Sequence, residues 1–144
     1  MNDALLIRAP AGVVYRTLTD VDGWPRWWVG CRSVRLAPPE PGRDRHILAL
    51  PDGRRRWRLG VDVHAWRHDL GVRWDVRGDV VLAAEWWIEP CVEGAVVHHV
   101  VHGSTVGRRA ERRVRRHRGV VMTAMQSMKD HLELAVALAH GRAP

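Results

Sequence analysis

The chain has 144 residues, 46% of them hydrophobic, which suits one core and is too short for two ordinary domains. No apolar run approaches the roughly 20 residues that cross a bilayer, and Met1 to Pro10 lacks the basic-then-apolar pattern of a signal peptide, so a cytoplasmic protein is the default expectation. The charge of +7 is carried almost wholly by arginine, Lys129 being the sole lysine, and with no Phe beside 8 Trp part of this bias reads as base composition rather than as a nucleic-acid signature.

Asp3 to Arg8 reads as a short strand, and Ala9-Pro10-Ala11 breaks it, with Pro placed to start a helix. Val13, Val14, Thr17 and Leu18 recur at helical spacing up to Asp20. Val21-Asp22-Gly23 is expected to end that helix, and Trp24-Pro25-Arg26-Trp27-Trp28 to form a second short helix or tight turn closing near Gly30.

From Cys31 onward the pattern alternates. Runs from Cys31 to Leu36, Arg45 to Leu50, Arg54 to Trp66, Gly71 to Arg77, Val80 to Pro90 and Ala95 to His102 are separated by turn signals such as Pro39 to Gly42, Pro51-Asp52-Gly53 and Glu93-Gly94. Connections this short join antiparallel neighbours, because a parallel pair needs a crossover of about a dozen residues. An antiparallel meander follows.

Within the longest run Trp57, Leu59, Val61, Val63 and Ala65 alternate with Arg56, Arg58, Gly60, Asp62 and His64, so one face is dry and needs cover. The cover is a helix from about Arg109 to His140, where Val114, Val121, Met125, Met128, Leu132, Val136 and Ala139 fall at three- and four-residue steps before Gly141. The fold class is α+β, in one domain, residues 1–144.

The Ala9-Pro10 break, a helix ending in Leu18-Thr19-Asp20 and the Trp24-Pro25-Arg26-Trp27-Trp28 segment resemble the opening of the polyketide cyclase/dehydrase-like branch of the START-related SRPBCC superfamily. The Arg-rich strand, Glu85-Trp86-Trp87-Ile88-Glu89-Pro90 and a last helix with Val121-Met122 and Leu132 continue the similarity over nearly the whole chain. The resemblance implies a helix-grip fold: a seven-stranded antiparallel sheet around a long C-terminal helix, with two short helices after the first strand. It also implies a cavity for apolar or aromatic molecules, in some members a site of cyclisation, dehydration or hydrolysis, without a shared catalytic motif.

Tryptophan can line such a cavity while its indole N–H serves a ligand. Trp57, Trp74 and Trp86 alternate in phase with apolar neighbours and are expected to form its walls with Trp28, while Val121, Met125 and Met128 form its floor. Trp66 has no assigned side, and Trp87 shares the phase of Glu85 and Glu89. If Val97 and Val101 face the helix, so does His99; the opposite register turns His98 and His102 inward.

An inward His99 would orient a ligand, or, helped by Asp75 or Glu85, transfer a proton in a cyclase or dehydratase. His46, His64, His98, His99 and His102 offer metal-ligand types, but His98 and His102 on one strand lie about 13 Å apart, and neither metal nor cofactor is expected. Cys31 and Cys91 lack metal or disulfide-scaffold spacing and read as free thiols; Tyr15 and Cys31 read as structural. The run Arg108 to Arg118 opens the long helix, where cations are disfavoured, which raises a second possibility, a basic module for nucleic acid or anionic membrane. It has no interleaved aromatics and matches no nucleic-acid module, so the expected partner is a small molecule and the expected state a monomer or homodimer.

Overall fold

The computed structural model describes residues 2–38, 41, 43–102 and 108–141, without the side chains of residues 65 and 66. The turn expected from Pro39 to Gly42 lies mostly outside these residues, as does the Trp66 side chain. Seven strands, β1 (Asn2–Ile7), β2 (Arg32–Arg35), β3 (Arg43–Asp52), β4 (Arg55–Arg67), β5 (Gly71–Gly78), β6 (Leu82–Cys91) and β7 (Gly94–His102), form one sheet. Among the described residues these are joined by two α-helices, α1 (Ala11–Thr19) and α2 (Arg108–Ala139), and a 3₁₀ helix at Val21–Arg26. This is the seven-stranded antiparallel helix-grip arrangement.

The strand order is β1-β7-β6-β5-β4-β3-β2, so β2 to β7 are a meander and β1 closes the far edge by pairing with β7. The last hairpin is tight, with Cys91 opposite Gly94. Gly94 has φ 147°, and a Cβ there would lie 2.2 Å from the carbonyl oxygen of Ile7, so only glycine lets the hairpin reach the end of β1.

Pro10 lies just before α1, its carbonyl accepting the N–H groups of Val13 and Val14 at 3.0 and 3.2 Å. The break expected at Val21 to Gly23 is instead the first turn of the 3₁₀ helix, with Pro25 inside it. The cause is Asp20, whose carboxylate accepts the Gly23 N–H at 3.2 Å and caps the helix as soon as α1 ends. A Cβ on Gly23 would lie 2.3 Å from that carboxylate. The short helix buries Trp24, and the residues that follow bury Trp27 and Trp28.

Helix α2 spans 32 residues, about 48 Å at 1.5 Å per residue, and buries Val114, His117, Val121, Ala124, Met125, Met128 and Leu132. Val136 is partly buried but Ala139 is exposed, so the apolar stripe ends a turn before the helix does. Gly141, at φ 64°, ends it, its N–H bonding the Leu138 carbonyl at 3.1 Å. No described helix is long and apolar enough to cross a membrane.

Candidate functional site

Alternation on the three strands nearest the β1 edge sets the inner surface. Val72, Trp74 and Val76 of β5, Leu82, Ala84, Trp86 and Ile88 of β6, and Ala95, Val97, His99 and Val101 of β7 are buried, while the residues between them are more exposed. The register therefore turns His99 inward, and leaves His98 and His102 beside Glu89 and Glu85 on the outer face.

Pairing brings these side chains into one stack. Trp86 lies opposite His99, and Trp74 lies opposite Ala84, one diagonal step from Trp86. Ring centroids are 4.5 Å apart for Trp24 and Trp74, 4.7 Å for Trp74 and Trp86, and 4.3 Å for Trp86 and His99. Trp28 joins the far end, 6.0 Å from Trp24, and lines a cleft of about 510 Å³ with Val29, Pro51, Val120, Ala124 and Ser127. An aromatic run thus extends from a surface cleft to a buried histidine.

The polar atoms of that run are unusual. Nε1 of Trp24, Trp74 and Trp86 and both ring nitrogens of His99 are buried and find no hydrogen-bond partner among the described residues. An unpaired buried donor costs about 1–3 kcal/mol, and native interiors rarely keep several together. Trp57 differs, giving its indole N–H to Asp52 at 2.7 Å.

His117 enters the same interior from α2, buried, with Nε2 unpaired among the described residues and its ring 6.2 Å from Trp57. Burial pushes His99 and His117 down to about 4, and the proximity of His117 further lowers His99. Both imidazoles are neutral at pH 7, each with one N–H to donate and one nitrogen to accept.

The carboxylate paired across the sheet with His99 is Asp3. It lies directly opposite His99 on β1 and is held below its ordinary range by a two-point hydrogen bond from Arg118, Nε to Oδ2 at 2.7 Å and a second, shorter contact to Oδ1. The expected helpers of His99 are elsewhere. Asp75 lies 3.2 Å from His64 and beside Arg73, and Glu85 lies 3.6 Å from His102, all on the outer face, because each precedes or follows an inward tryptophan by one residue. The structure therefore does not bring Asp75 or Glu85 to His99.

The other expected residues fall as follows. Val121, Met125 and Met128 are at most 1% exposed on the sheet-facing side of α2, in the same core as Trp28, Trp57, Trp74 and Trp86. Trp87 lies beneath the Arg67 guanidinium at 5.5 Å. Among the described residues no three His, Cys, Asp or Glu side chains gather for a metal. Cys31 is buried, its thiol pushed up to about 12 by desolvation, and Cys91 is exposed; neither is in a disulfide.

The sequence reading gives Asp3, His117, Arg118 and Trp24 no place in the cavity, taking His117 and Arg118 only as part of the basic run and Trp24 only as part of the segment that follows α1. His117 follows Val114 by three residues and precedes Val121 by four, so its place on the apolar stripe was available, masked by the arginines around it.

Residues 7–102 match the family described as polyketide cyclase / dehydrase and lipid transport. Similar solved structures include a START superfamily protein of Mycobacterium smegmatis, 14% identical over 92% of this chain and 97% of that one, TM-score 0.69. The Zhui aromatase/cyclase of Streptomyces sp. R1128 is 14% identical over 99% of this chain and 95% of that one, TM-score 0.68. A protein of Thermus thermophilus is 19% identical over 96% and 97%, TM-score 0.70. At these identities the likeness concerns the fold. No curated protein matches the chain in sequence.

Proposed function

This chain belongs to the polyketide cyclase / dehydrase and lipid transport family, and we propose that it binds an apolar, ring-containing small molecule carrying several hydrogen-bond acceptors, between the sheet and α2. The observation that carries this reading is the stack Trp24, Trp74, Trp86 and His99, buried in contact and unpaired at every side-chain nitrogen among the described residues. Flat aromatic faces favour a ring, and three indole N–H groups with one imidazole N–H make the lining richer in donors than in acceptors. Carbonyl or phenolic oxygens complement it. Trp28, Trp57, Val121, Met125 and Met128 supply apolar contact around that stack, Met adapting to ligand shape.

Native mass spectrometry of the purified protein, followed by titration of tryptophan fluorescence with 1,8-dihydroxyanthraquinone, tests this. Retention of a small molecule, or saturable quenching that weakens in Trp86→Phe, is the expected result. Neither a bound molecule nor saturable quenching would remove the reading.

A second reading has His99 moving a proton on a bound substrate, as in a cyclase or dehydratase. A neutral imidazole within contact of the aromatic stack supports it, with Asp3 directly opposite in place of Asp75 and Glu85. His99→Gln separates the two: a turnover lost with binding retained marks an acid or base, whereas an unchanged reaction assigns His99 to ligand orientation.

A further inference from the structure

Next to the cleft at Trp28 lies a second groove of about 260 Å³, lined by Asp52, Arg55, Arg56, Trp57, Asp79, Arg113 and Arg116. The two adjoin at the Asp52–Arg116 ion pair, which lines both, beside the β3–β4 turn and α2. One half is largely apolar and the other is basic.

Both carboxylates of the basic half are already engaged. Asp52 accepts from Arg116 Nε at 2.5 Å and from the Trp57 indole, and Asp79 accepts the backbone N–H of Arg58 at 2.7 Å. Arg55, Arg56 and Arg113 are exposed and have no carboxylate partner among the described residues. Among the described residues Arg56 bonds only the Gly30 carbonyl, at 3.2 Å, and Arg113 only the Asp79 carbonyl, at 3.4 Å. The groove thus carries four arginines against two aspartates, an excess of two positive charges, and the guanidinium groups of Arg55, Arg56 and Arg113 keep N–H donors free of any carboxylate among the described residues.

We propose that this groove holds the phosphate of an amphiphile, a phosphate ester on an apolar tail, with the tail lying along Trp28, Val120 and Ala124 in the adjoining cleft. Guanidinium groups match tetrahedral oxyanions through paired N–H donors, which a neutral headgroup cannot use. The phosphate itself could belong to a soluble metabolite or to a lipid headgroup. The site deepens the ligand-binding reading at its entrance and shares Trp28 and Trp57 with it, but its charged half, Arg55, Arg56 and Arg113, lies outside the aromatic stack.

Isothermal titration of the full chain with dodecyl phosphate, dodecanol and inorganic phosphate, each below its aggregation limit, tests the groove. Dodecyl phosphate should bind at least about tenfold tighter than either the tail or the head alone, and more weakly as salt rises. Arg55→Gln with Arg113→Gln should cost about tenfold or more and flatten the salt dependence, while leaving 1,8-dihydroxyanthraquinone binding unchanged. Both positions are exposed, and far-UV circular dichroism of the double variant verifies the fold.

Equal affinity for dodecanol, or an unaltered affinity in the double variant, overturns the proposal. Sedimentation with phosphatidate vesicles distinguishes the source: co-sedimentation abolished by the double variant assigns the phosphate to a lipid surface, and its absence assigns it to a soluble ester. Equal binding to phosphatidate and phosphatidylserine vesicles that survives the double substitution overturns the groove in favour of diffuse charge. Failure of the quinone to bind counts against the interior reading only, because dodecyl phosphate reports the groove directly.

Discussion

Mild acid should unfold this protein, and two of its three buried histidines, His99 and His117, should set the range. His99 and His117 stand at about 4 against an ordinary 6.5, in both cases chiefly through burial. Between those values the unfolded chain binds protons that the folded chain refuses, so stability rises with pH across the window and is lost as pH falls from about 6.5 towards 4. Each imidazole contributes about 3 kcal/mol to that loss, and together they reach the scale of a whole domain's stability, about 5–15 kcal/mol.

Urea unfolding followed by tryptophan fluorescence, at half-unit steps from about pH 7.5 to 4.5, measures the slope. His99→Gln and His117→Gln should each remove about half of it, and the double variant nearly all. Asp3, Asp62 and Glu133 are held below their ordinary values by their partners, so their contribution is lost at lower pH and does not mimic the effect. A slope in this window that is the same in wild type and double variant would refute the reasoning.

Met128→Ala, at a fully buried position on the sheet-facing side of α2, should cost about 2–5 kcal/mol by urea denaturation. Gly94→Ala should lower the urea midpoint more than Gly53→Ala, because both have positive φ but only at Gly94 would the new Cβ strike backbone, while at Gly53 nothing lies within 4 Å. Trp86→Phe removes an unpaired buried N–H, worth about 1–3 kcal/mol, but leaves a small void; the two effects should nearly cancel in thermal unfolding while quinone affinity falls.

Periodicity made most of the fold legible. The alternation from Trp57 to Val63 and the three- and four-residue steps from Val114 to Leu132 placed the sheet face and helix stripe that are found. The same rule already held the answer on Asp75 and Glu85: a residue adjacent to an inward tryptophan on a strand points outward, so Trp74 and Trp86 excluded both. Asp3 was not legible in this way. It meets His99 only because β1 pairs with the last strand, a contact across 96 positions that no local pattern encodes. The 3₁₀ helix was misplaced by three residues because Gly23 was read as a breaker, whereas it is the residue that lets the Asp20 cap approach.

The tryptophans remain the hardest feature to assign from composition. A chain with no Phe has to fill aromatic positions with Trp, and that alone explains their number. It does not explain their arrangement. Substitution for volume would scatter indoles through the core, each finding whatever acceptor lay near, as Trp57 does with Asp52. Instead the unpaired N–H groups of Trp24, Trp74 and Trp86 are consecutive in one stack, and the stack ends on a histidine with both nitrogens unpaired among the described residues. Each such group penalises the fold on its own, so their contiguity is better accounted for by something that pairs with them together. A ligand with several acceptors meets that requirement, and apolar packing does not.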